Sequence, residues 1–403
     1  MSTLEFRQPG YAVTAAPGLQ SSAETRPLSV LVYLDDLSGG GAERQCLTLA
    51  KEMQRSGVAV NLIVHQMRGQ LMDQLPAGVD VINLDRRRTR HDVIPLAAHL
   101  QRHRPDILLA NVDHKNSAAI LAGVVSTTRT KVVITQHNPL AGELAGDGRK
   151  YRLIVPAYRV LAPFVNAAVG VSDGIARQLV RLAGIPQRKV VRIYNAVVDP
   201  EFDERANASV HHPWFFDGAG PTFVTAARLV PLKDHETLLR AMAIHRRSGT
   251  GRLLILGTGP LREPLEKLAR DLQIADAVDF VGFQSNPLPW FRLSDAFVLS
   301  SRTEGFGIAL AEAMACGTQV ISTDCNYGPA EILGQGRYGW LVPQQDPEAL
   351  ATAMTTAVEG PRRFAPELLK ARAADFSNAA CLEGYMSLFR RLVHRPDPLS
   401  RKQ

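Results

Sequence analysis

The densest chemistry of the chain lies in Ser300-Ser301-Arg302-Thr303-Glu304-Gly305-Phe306-Gly307-Ile308-Ala309-Leu310-Ala311-Glu312. Two carboxylates, Glu304 and Glu312, are separated by seven residues. The pattern predicts a strand ending near Ser301, a glycine-flanked turn, and a helix carrying Glu312 about two turns in. Carboxylates accept hydrogen bonds from vicinal diols, so Glu304 and Glu312 suit the hydroxyls of a sugar and a ribose. Backbone N–H groups of Gly305, Phe306 and Gly307 fall at a helix N-terminus, which suits phosphate. The competing reading of Glu312 is a helix surface charge; its apolar neighbours Ala311, Ala313 and Met314 count against it.

Upstream, Arg228 and Lys233 are separated by four residues at the expected end of another strand. A planar guanidinium fork beside an ammonium point charge suits a diphosphate; a solvated surface pair is the alternative. Two glycine turns, Ser38-Gly39-Gly40-Gly41 and Leu256-Gly257-Thr258-Gly259-Pro260, join strand to helix. Gly40, Gly41, Gly257 and Gly259 would let the backbone approach a ligand, or serve equally as plain tight turns. The first is not the G-x-G-x-x-G dinucleotide fingerprint. His137, in Thr135-Gln136-His137-Asn138, ends a strand, and so does His114. His211, His212, His235 and His245 have no metal-ligand spacing, and no Asp-x-Asp pair ends a strand, so the sequence requires no metal and implies no cofactor. The four cysteines are too scattered for a disulfide framework or a zinc site, which favours a reducing setting.

These residues need strand ends to hold them. Short β-branched runs alternate with helical stretches: Leu28–Leu34, Val58–Val64, Val79–Leu84, Ile107–Asn111, Val132–Thr135 and Ala167–Val171. The series restarts with Phe223–Ala227, Leu253–Leu256, Val278–Val281, Ala296–Leu299 and Gln319–Ser322. That is the signature of parallel sheets covered by helices on both faces. The expected fold class is α/β, two Rossmann-like domains in tandem. The irregular stretch Asp199–Pro221 reads as the linker. The expected division is a flexible leader at 1–27, domains at 28–200 and 201–379, and a final helix and tail at 380–403. Ligands of open α/β sheets bind outside the carboxyl ends of the strands, so two such domains facing one another would form a cleft.

Composition sets the limits. With 403 residues, 45% hydrophobic and 21% charged, the chain is globular and not disordered. No charge-free apolar stretch of about 20 residues predicts a transmembrane helix, and residues 1–27 lack a signal-peptide core. Charge is uneven: residues 1–200 hold 24 Lys+Arg against 16 Asp+Glu, residues 201–403 hold 22 against 23. The basic half suggests a negatively charged partner; solubility is the plainer account. No aromatic-interleaved motif points to nucleic acid.

Taken together, these motifs resemble the retaining glycosyltransferases of family 4, with the GT-B fold. The resemblance rests on the Gly-Gly-Ala-Glu loop at 40–43, Arg228 with Lys233, the Gly257–Pro260 turn, the Glu304…Glu312 block and Asp324–Ile332, with its Gly328-Pro329-x-Glu331 variant. It covers about residues 28–395 and implies a nucleotide-sugar donor, UDP-linked as in enzymes of bacterial surface polysaccharide. By position, it implies that Arg228 and Lys233 hold the donor diphosphate and that Glu312 binds the ribose. Glu304 and the backbone of Gly305–Gly307 would meet the donor sugar. The base would lie near the backbone of Phe283, Gly40 and Gly41 would line the cleft, and His137 would contact the donor sugar. It further implies that the C-terminal helix crosses back to the first domain. No carboxylate stands out as a covalent nucleophile. Retention would then be a front-face displacement in which the departing phosphate takes the acceptor's proton while Arg228 and Lys233 stabilise its charge.

The expected acceptor is a saccharide or a lipid-linked saccharide. Two basic stretches, 86–91 and 149–159, suit peripheral contact with an anionic membrane, which would place the protein in the cytoplasm at the inner face of the membrane. Pro156 is expected to break or kink the second stretch. Two other readings use the same architecture: a UDP-sugar 2-epimerase, disfavoured by the two-glutamate block, and a non-catalytic nucleotide-sugar-binding protein.

Overall fold

The computed structural model describes residues 26–38, 40–111, 113–140, 148–247 and 249–393. The expected leader up to residue 25, the tail after Val393, and the side chains of His114 and of residues 149–154 lie outside the described residues.

Two compact units result. The first carries a seven-stranded sheet of order β3-β2-β1-β4-β5-β6-β7. Its strands are β1 (Ser29–Leu34), β2 (Ala59–Val64), β3 (Val81–Asn83), β4 (Ile107–Ala110), β5 (Lys131–Gln136), β6 (Ala167–Gly170) and β7 (Val190–Arg192). The second carries a six-stranded sheet of order β10-β9-β8-β11-β12-β13. These are β8 (Thr222–Ala226), β9 (Arg252–Leu256), β10 (Val278–Gly282), β11 (Ala296–Leu299), β12 (Gln319–Thr323) and β13 (Trp340–Val342). Every named strand pairing is parallel. The central strands are apolar runs because helices cover both faces. Leu31 and Tyr33 join Leu108, Ala110, Val132 and Ile134 in the core on one face, under Leu96, Ala119 and Tyr158. Val30, Val32 and Leu34 are buried too and alternate with them along β1. A second core gathers Phe223, Leu253, Ile255, Val298 and Ile321 beneath Leu239, Met242 and Met354.

Three expectations need correcting. Strands β7 and β13 were not foreseen; each has only three residues, as has β3, which the longer run Val79–Leu84 had marked. Asp199–Pro221 is not a loose linker. It holds the helix Phe202–Ala206 and the turn Pro213–Phe215, and His212 and Phe215 pack against Trp290 at 5.7 and 5.9 Å between ring centroids. Arg252 binds Asp217 through both terminal nitrogens, at 2.6 and 2.8 Å. The long continuous part of the second unit accordingly runs Tyr194–Glu383. Of the break or kink expected at Pro156, finally, the break is absent: the helix runs Gly148–Leu161 with the proline inside it. Two residues on, the buried Tyr158 hydroxyl accepts from Asn116 Nδ2 (2.9 Å) and donates to Gln136 Oε1 (3.2 Å), anchoring the helix beyond the proline.

The last helix is Asn378–Val393. From Gly384 onward it belongs to the first unit. Tyr385 Oη lies 2.9 Å from Thr135 Oγ1 on β5, and a Cβ at Gly384 would come within 3.0 Å of Ile193. Among the described residues no helix is long and apolar enough to cross a membrane.

Candidate functional site

Strand order reverses beside the first strand of each sheet, between β1 and β4 and between β8 and β11. Loops leaving the carboxyl ends there are where open α/β sheets bind ligands.

In the second unit two such loops are joined to one another. The loop after β8 runs through the turn Pro231–Lys233 to Asp234, whose φ of +47° is left-handed. The loop after β11 donates to it from Arg302 N to Leu232 O (2.9 Å) and from Ser300 Oγ to Lys233 O (2.9 Å). Arg302 also binds Asp234 Oδ1 at 3.0 Å, and Thr237 Oγ1 donates to Asp234 Oδ2 at 3.0 Å. Across this junction Lys233 Nζ meets Glu304 Oε1 at 2.5 Å, and Ser301 Oγ donates to the same oxygen at 2.7 Å. Both charged side chains are largely buried, at 19% and 11% exposure. A shielded pair is stronger than a surface one and holds the ammonium in one place. Arg228 is exposed on the same loop.

The glycines of the β9 turn support that loop. A Cβ at Gly257 would lie 2.0 Å from Ala227 O, and one at Gly259 would lie 2.4 Å from Leu229 O. Leu229 N donates to Thr258 O (2.9 Å) and Leu261 N to Leu229 O (3.1 Å). The missing side chains admit protein backbone, which fixes the residues on either side of Arg228.

Gly307 caps the helix Ile308–Ala315 with a left-handed φ of +107°. The Phe306 ring is buried between Tyr194 (5.5 Å) and Phe376 (5.3 Å), so that position offers backbone alone to a ligand. Gly328 touches the backbone of Phe306, where a Cβ would stand 2.0 Å from its carbonyl oxygen. Glu331 accepts from Tyr194 Oη at 2.7 Å. Burial, with help from the half-buried Glu312, pushes the neighbouring Cys316 thiol up to about 12. Burial, with help from Glu304, likewise pushes the Cys325 thiol up, so neither sulfur is a ready nucleophile. Phe283 follows β10 and is 55% exposed.

In the first unit, Gly40 and Gly41 are exposed where the helix Gly41–Arg55 begins. Gly40 has an ordinary φ of −64°, so backbone conformation does not require glycine there. His137 follows β5. Its Nε2 is buried without a partner among the described residues, and burial pushes the ring down to about 4. The ring is therefore neutral at neutral pH. Gly40, Gly41 and His137 thus stand at carboxyl ends in the first unit. The other expected residues stand in the second, where Lys233, Glu304, Gly305–Gly307 and the Arg228 loop form one junction.

The sequence reading missed Ser301, Asp234 and His235. A Ser-x-x-Glu spacing was the available sign of Ser301. His235 is buried, both ring nitrogens lack partners among the described residues, and burial, then Lys233, pushes it down to about 4. A buried polar cluster in the first unit was missed too. Lys115, fully buried, reaches Thr89 Oγ1 (2.9 Å), Asp35 Oδ1 (3.0 Å) and Asp92 Oδ2 (3.4 Å). Asp92 also takes His65 Nδ1 (2.7 Å) and the Tyr33 hydroxyl, whose acidity burial and Asp92 suppress. The cluster pins Thr89 inside the basic stretch 86–91, while Arg86, Arg87, Arg88, Arg90 and His91 stay exposed.

Two Rossmann-like parallel sheets in tandem, with the charged junction at the switch point of the second, define the GT-B class of architecture. Comparison with known proteins agrees. Residues 39–201 match the model described as Glycosyltransferase Family 4, and residues 210–377 match Glycosyl transferases group 1. The chain belongs to the family 4 glycosyltransferases. Among curated relatives, an exopolysaccharide phosphotransferase of Streptomyces coelicolor is 29% identical over 287 residues, 70% of this chain and 28% of that one. A GDP-mannose-dependent alpha-(1-6)-phosphatidylinositol monomannoside mannosyltransferase of Mycolicibacterium smegmatis is 35% identical over 158 residues, 37% of this chain and 41% of that one. The chain therefore spans less than half the length of these relatives. Among solved structures, an Anabaena protein in complex with UDP and glucose superposes with a TM-score of 0.71 at 20% identity, over 89% of this chain and 98% of that one.

Proposed function

We propose that the protein is a retaining hexosyltransferase that moves a sugar from a nucleotide-sugar, UDP-linked, to a hydroxyl of a saccharide or lipid-linked acceptor in polysaccharide or glycolipid synthesis. One observation carries this reading: Lys233, paired with Glu304, which Ser301 holds in turn, stands on the same loop as the exposed Arg228 at the switch point of the second sheet. That arrangement suits a diphosphate leaving group. The name of the Mycolicibacterium relative supports a lipid acceptor, and the Anabaena complex supports UDP. The donor is the first quantity to measure.

In the proposed reaction the bond from the anomeric carbon to the diphosphate oxygen breaks through an oxocarbenium-like state. The acceptor oxygen bonds to that carbon on the same face, and its proton passes to the departing phosphate. Arg228 and Lys233 stabilise the charge that develops there, and the reaction proceeds without a metal. Glu312 binds the ribose, the backbone of Gly305–Gly307 and the Glu304 region meet the sugar, Phe283 adjoins the base, and neutral His137 offers the sugar a hydrogen bond. The exposed arginines of 86–91, with 149–159, meet the anionic inner face of the cytoplasmic membrane.

The test is release of nucleoside diphosphate from a panel of UDP-, GDP- and ADP-sugars with membrane extract as acceptor. Release should require one donor and the extract, should survive EDTA, and should fall at least about tenfold, or about 1.4 kcal/mol, in Glu312→Ala. Folded protein that binds a donor but releases nothing would overturn the transferase reading. Sugar released without any acceptor would favour the epimerase. Failure to co-sediment with anionic vesicles at low salt would remove the membrane from the proposal.

A further inference from the structure

An open groove of about 1120 Å³ lies on the first unit, lined by Arg26, Arg104, Asp106, Arg129, Lys131 and Phe164. It is at the amino ends of β1, β4, β5 and β6, the end of the sheet opposite Gly40, Gly41 and His137. It is therefore separate from the site described above.

The fold itself uses Asp106. Its Oδ1 takes Arg26 at 2.6 Å, and its Oδ2 takes Ser29 N at 2.9 Å and Ser29 Oγ at 2.8 Å. Wall hydroxyls are engaged as well: Ser126 Oγ lies 3.0 Å from Thr128 Oγ1, which donates to Thr130 Oγ1 at 3.2 Å, which donates to Pro105 O at 2.7 Å. What remains is charge. Among the described residues Arg104, Arg129 and Lys131 have no acidic partner. The helices Val93–His103 and Asp113–Ser126 end beside the groove. Their carboxyl-terminal dipoles, about half a negative charge each, offset roughly one of these cations. An excess of about two positive charges is left, with Arg104 and Arg129 exposed and Lys131 half-buried. Beside it Val124 and Phe164 are 43% and 52% exposed, an apolar flank that a fully hydrated anion would not use.

We propose that this groove binds a phosphate ester, with the cations on the phosphate and Val124 with Phe164 against an apolar portion of the ligand. Two arginine forks and an ammonium match the phosphate oxygens. The ester has two sources, a free phosphorylated metabolite or a lipid headgroup, and the test separates them. The proposal does not depend on the transferase reading.

Three probes are titrated against the full chain and against Arg129→Glu/Lys131→Glu: inorganic phosphate, dihexanoyl phosphatidic acid below its micelle concentration, and vesicles of phosphatidylglycerol in phosphatidylcholine. The difference between the two chains isolates the groove from any diphosphate site in the second unit. At least one probe should bind the wild type, weaken at least tenfold in the variant, and weaken with added salt. Loss of inorganic phosphate binding identifies a free metabolite; loss confined to the lipid probes identifies a headgroup. Arg129→Gln/Lys131→Gln serves if the charge reversal unfolds the chain, as thermal melting would reveal. Absence of binding by all three probes, or binding equal in wild type and variant, overturns the proposal.

Discussion

His235 offers a test of the site's local physics that needs no substrate. Its ring is buried beside Lys233, with neither nitrogen partnered among the described residues, and burial pushes it down to about 4. An unfolded chain would release it to the ordinary value near 6.5. Because the folded value is the lower one, the unfolded state binds the proton first as pH falls. The native state then keeps its full advantage above about pH 6.5 and loses it progressively down to about pH 4. At pH 5 the two protonation equilibria differ about thirtyfold, or about 2 kcal/mol. His235→Leu fills a similar space and removes the titration. Urea unfolding of both chains at pH 7.5 and pH 5 is the assay. Between those two conditions the wild type should lose about 2 kcal/mol more than His235→Leu. Equal losses would refute the reasoning, since they would mean that His235 is solvated or hydrogen-bonded as freely in the folded state as in the unfolded one.

Other outcomes follow from specific contacts. Gly259→Ala places a methyl 2.4 Å from Leu229 O and 2.7 Å from Leu229 N, so the Arg228 loop must shift. Transfer efficiency should fall on the order of 10²-fold for a displacement of about 1 Å, with a stability loss of about 1–3 kcal/mol; unchanged kinetics would break the link between turn and loop. Glu304→Gln removes the charge partner of Lys233 while keeping the shape. We expect turnover to fall about tenfold in the diphosphate-release assay, and wild-type turnover would show that Lys233 needs no such anchor. Lys115→Met leaves the buried Asp92 without its ammonium partner, and chemical denaturation should show a loss of about 3–5 kcal/mol. A loss under about 1 kcal/mol would assign the compensation of Asp92 to His65 instead.

Most of the sheet framework was legible because both faces of each central strand are covered, which forces runs such as Val-Leu-Val-Tyr-Leu in β1. Of the four edge strands, β3 and β10 were legible from the longer runs Val79–Leu84 and Val278–Val281, while β7 and β13, three residues each, escaped. Asp199–Pro221 read as a linker because its partners, Arg252 and Trp290, lie far along the chain. Candidate site residues were legible as types and spacings, but their pairing was not. Lys233 and Glu304 are 71 positions apart, and nothing local says that the ammonium meets that carboxylate. The same distance problem hid the Tyr33, His65, Asp92 and Lys115 cluster, whose members belong to no motif. Gly257 and Gly259 were legible as turn glycines, yet what they admit is the backbone of Ala227 and Leu229. A sequence marks the need for space without naming the occupant.

The last helix has a consequence for how the chain is made. The first unit takes its opening strands from the start of the chain and its closing piece from Gly384 onward, with Tyr194–Glu383 in between. On a ribosome delivering roughly 5–20 residues per second, those intervening residues separate the two by about 10–40 s. Through that interval Thr135 lacks Tyr385 and Ile193 lacks Gly384, while the second unit can finish on its own. The unit translated first is thus the one completed last, and its contacts at Thr135 and Ile193 are among the last to form.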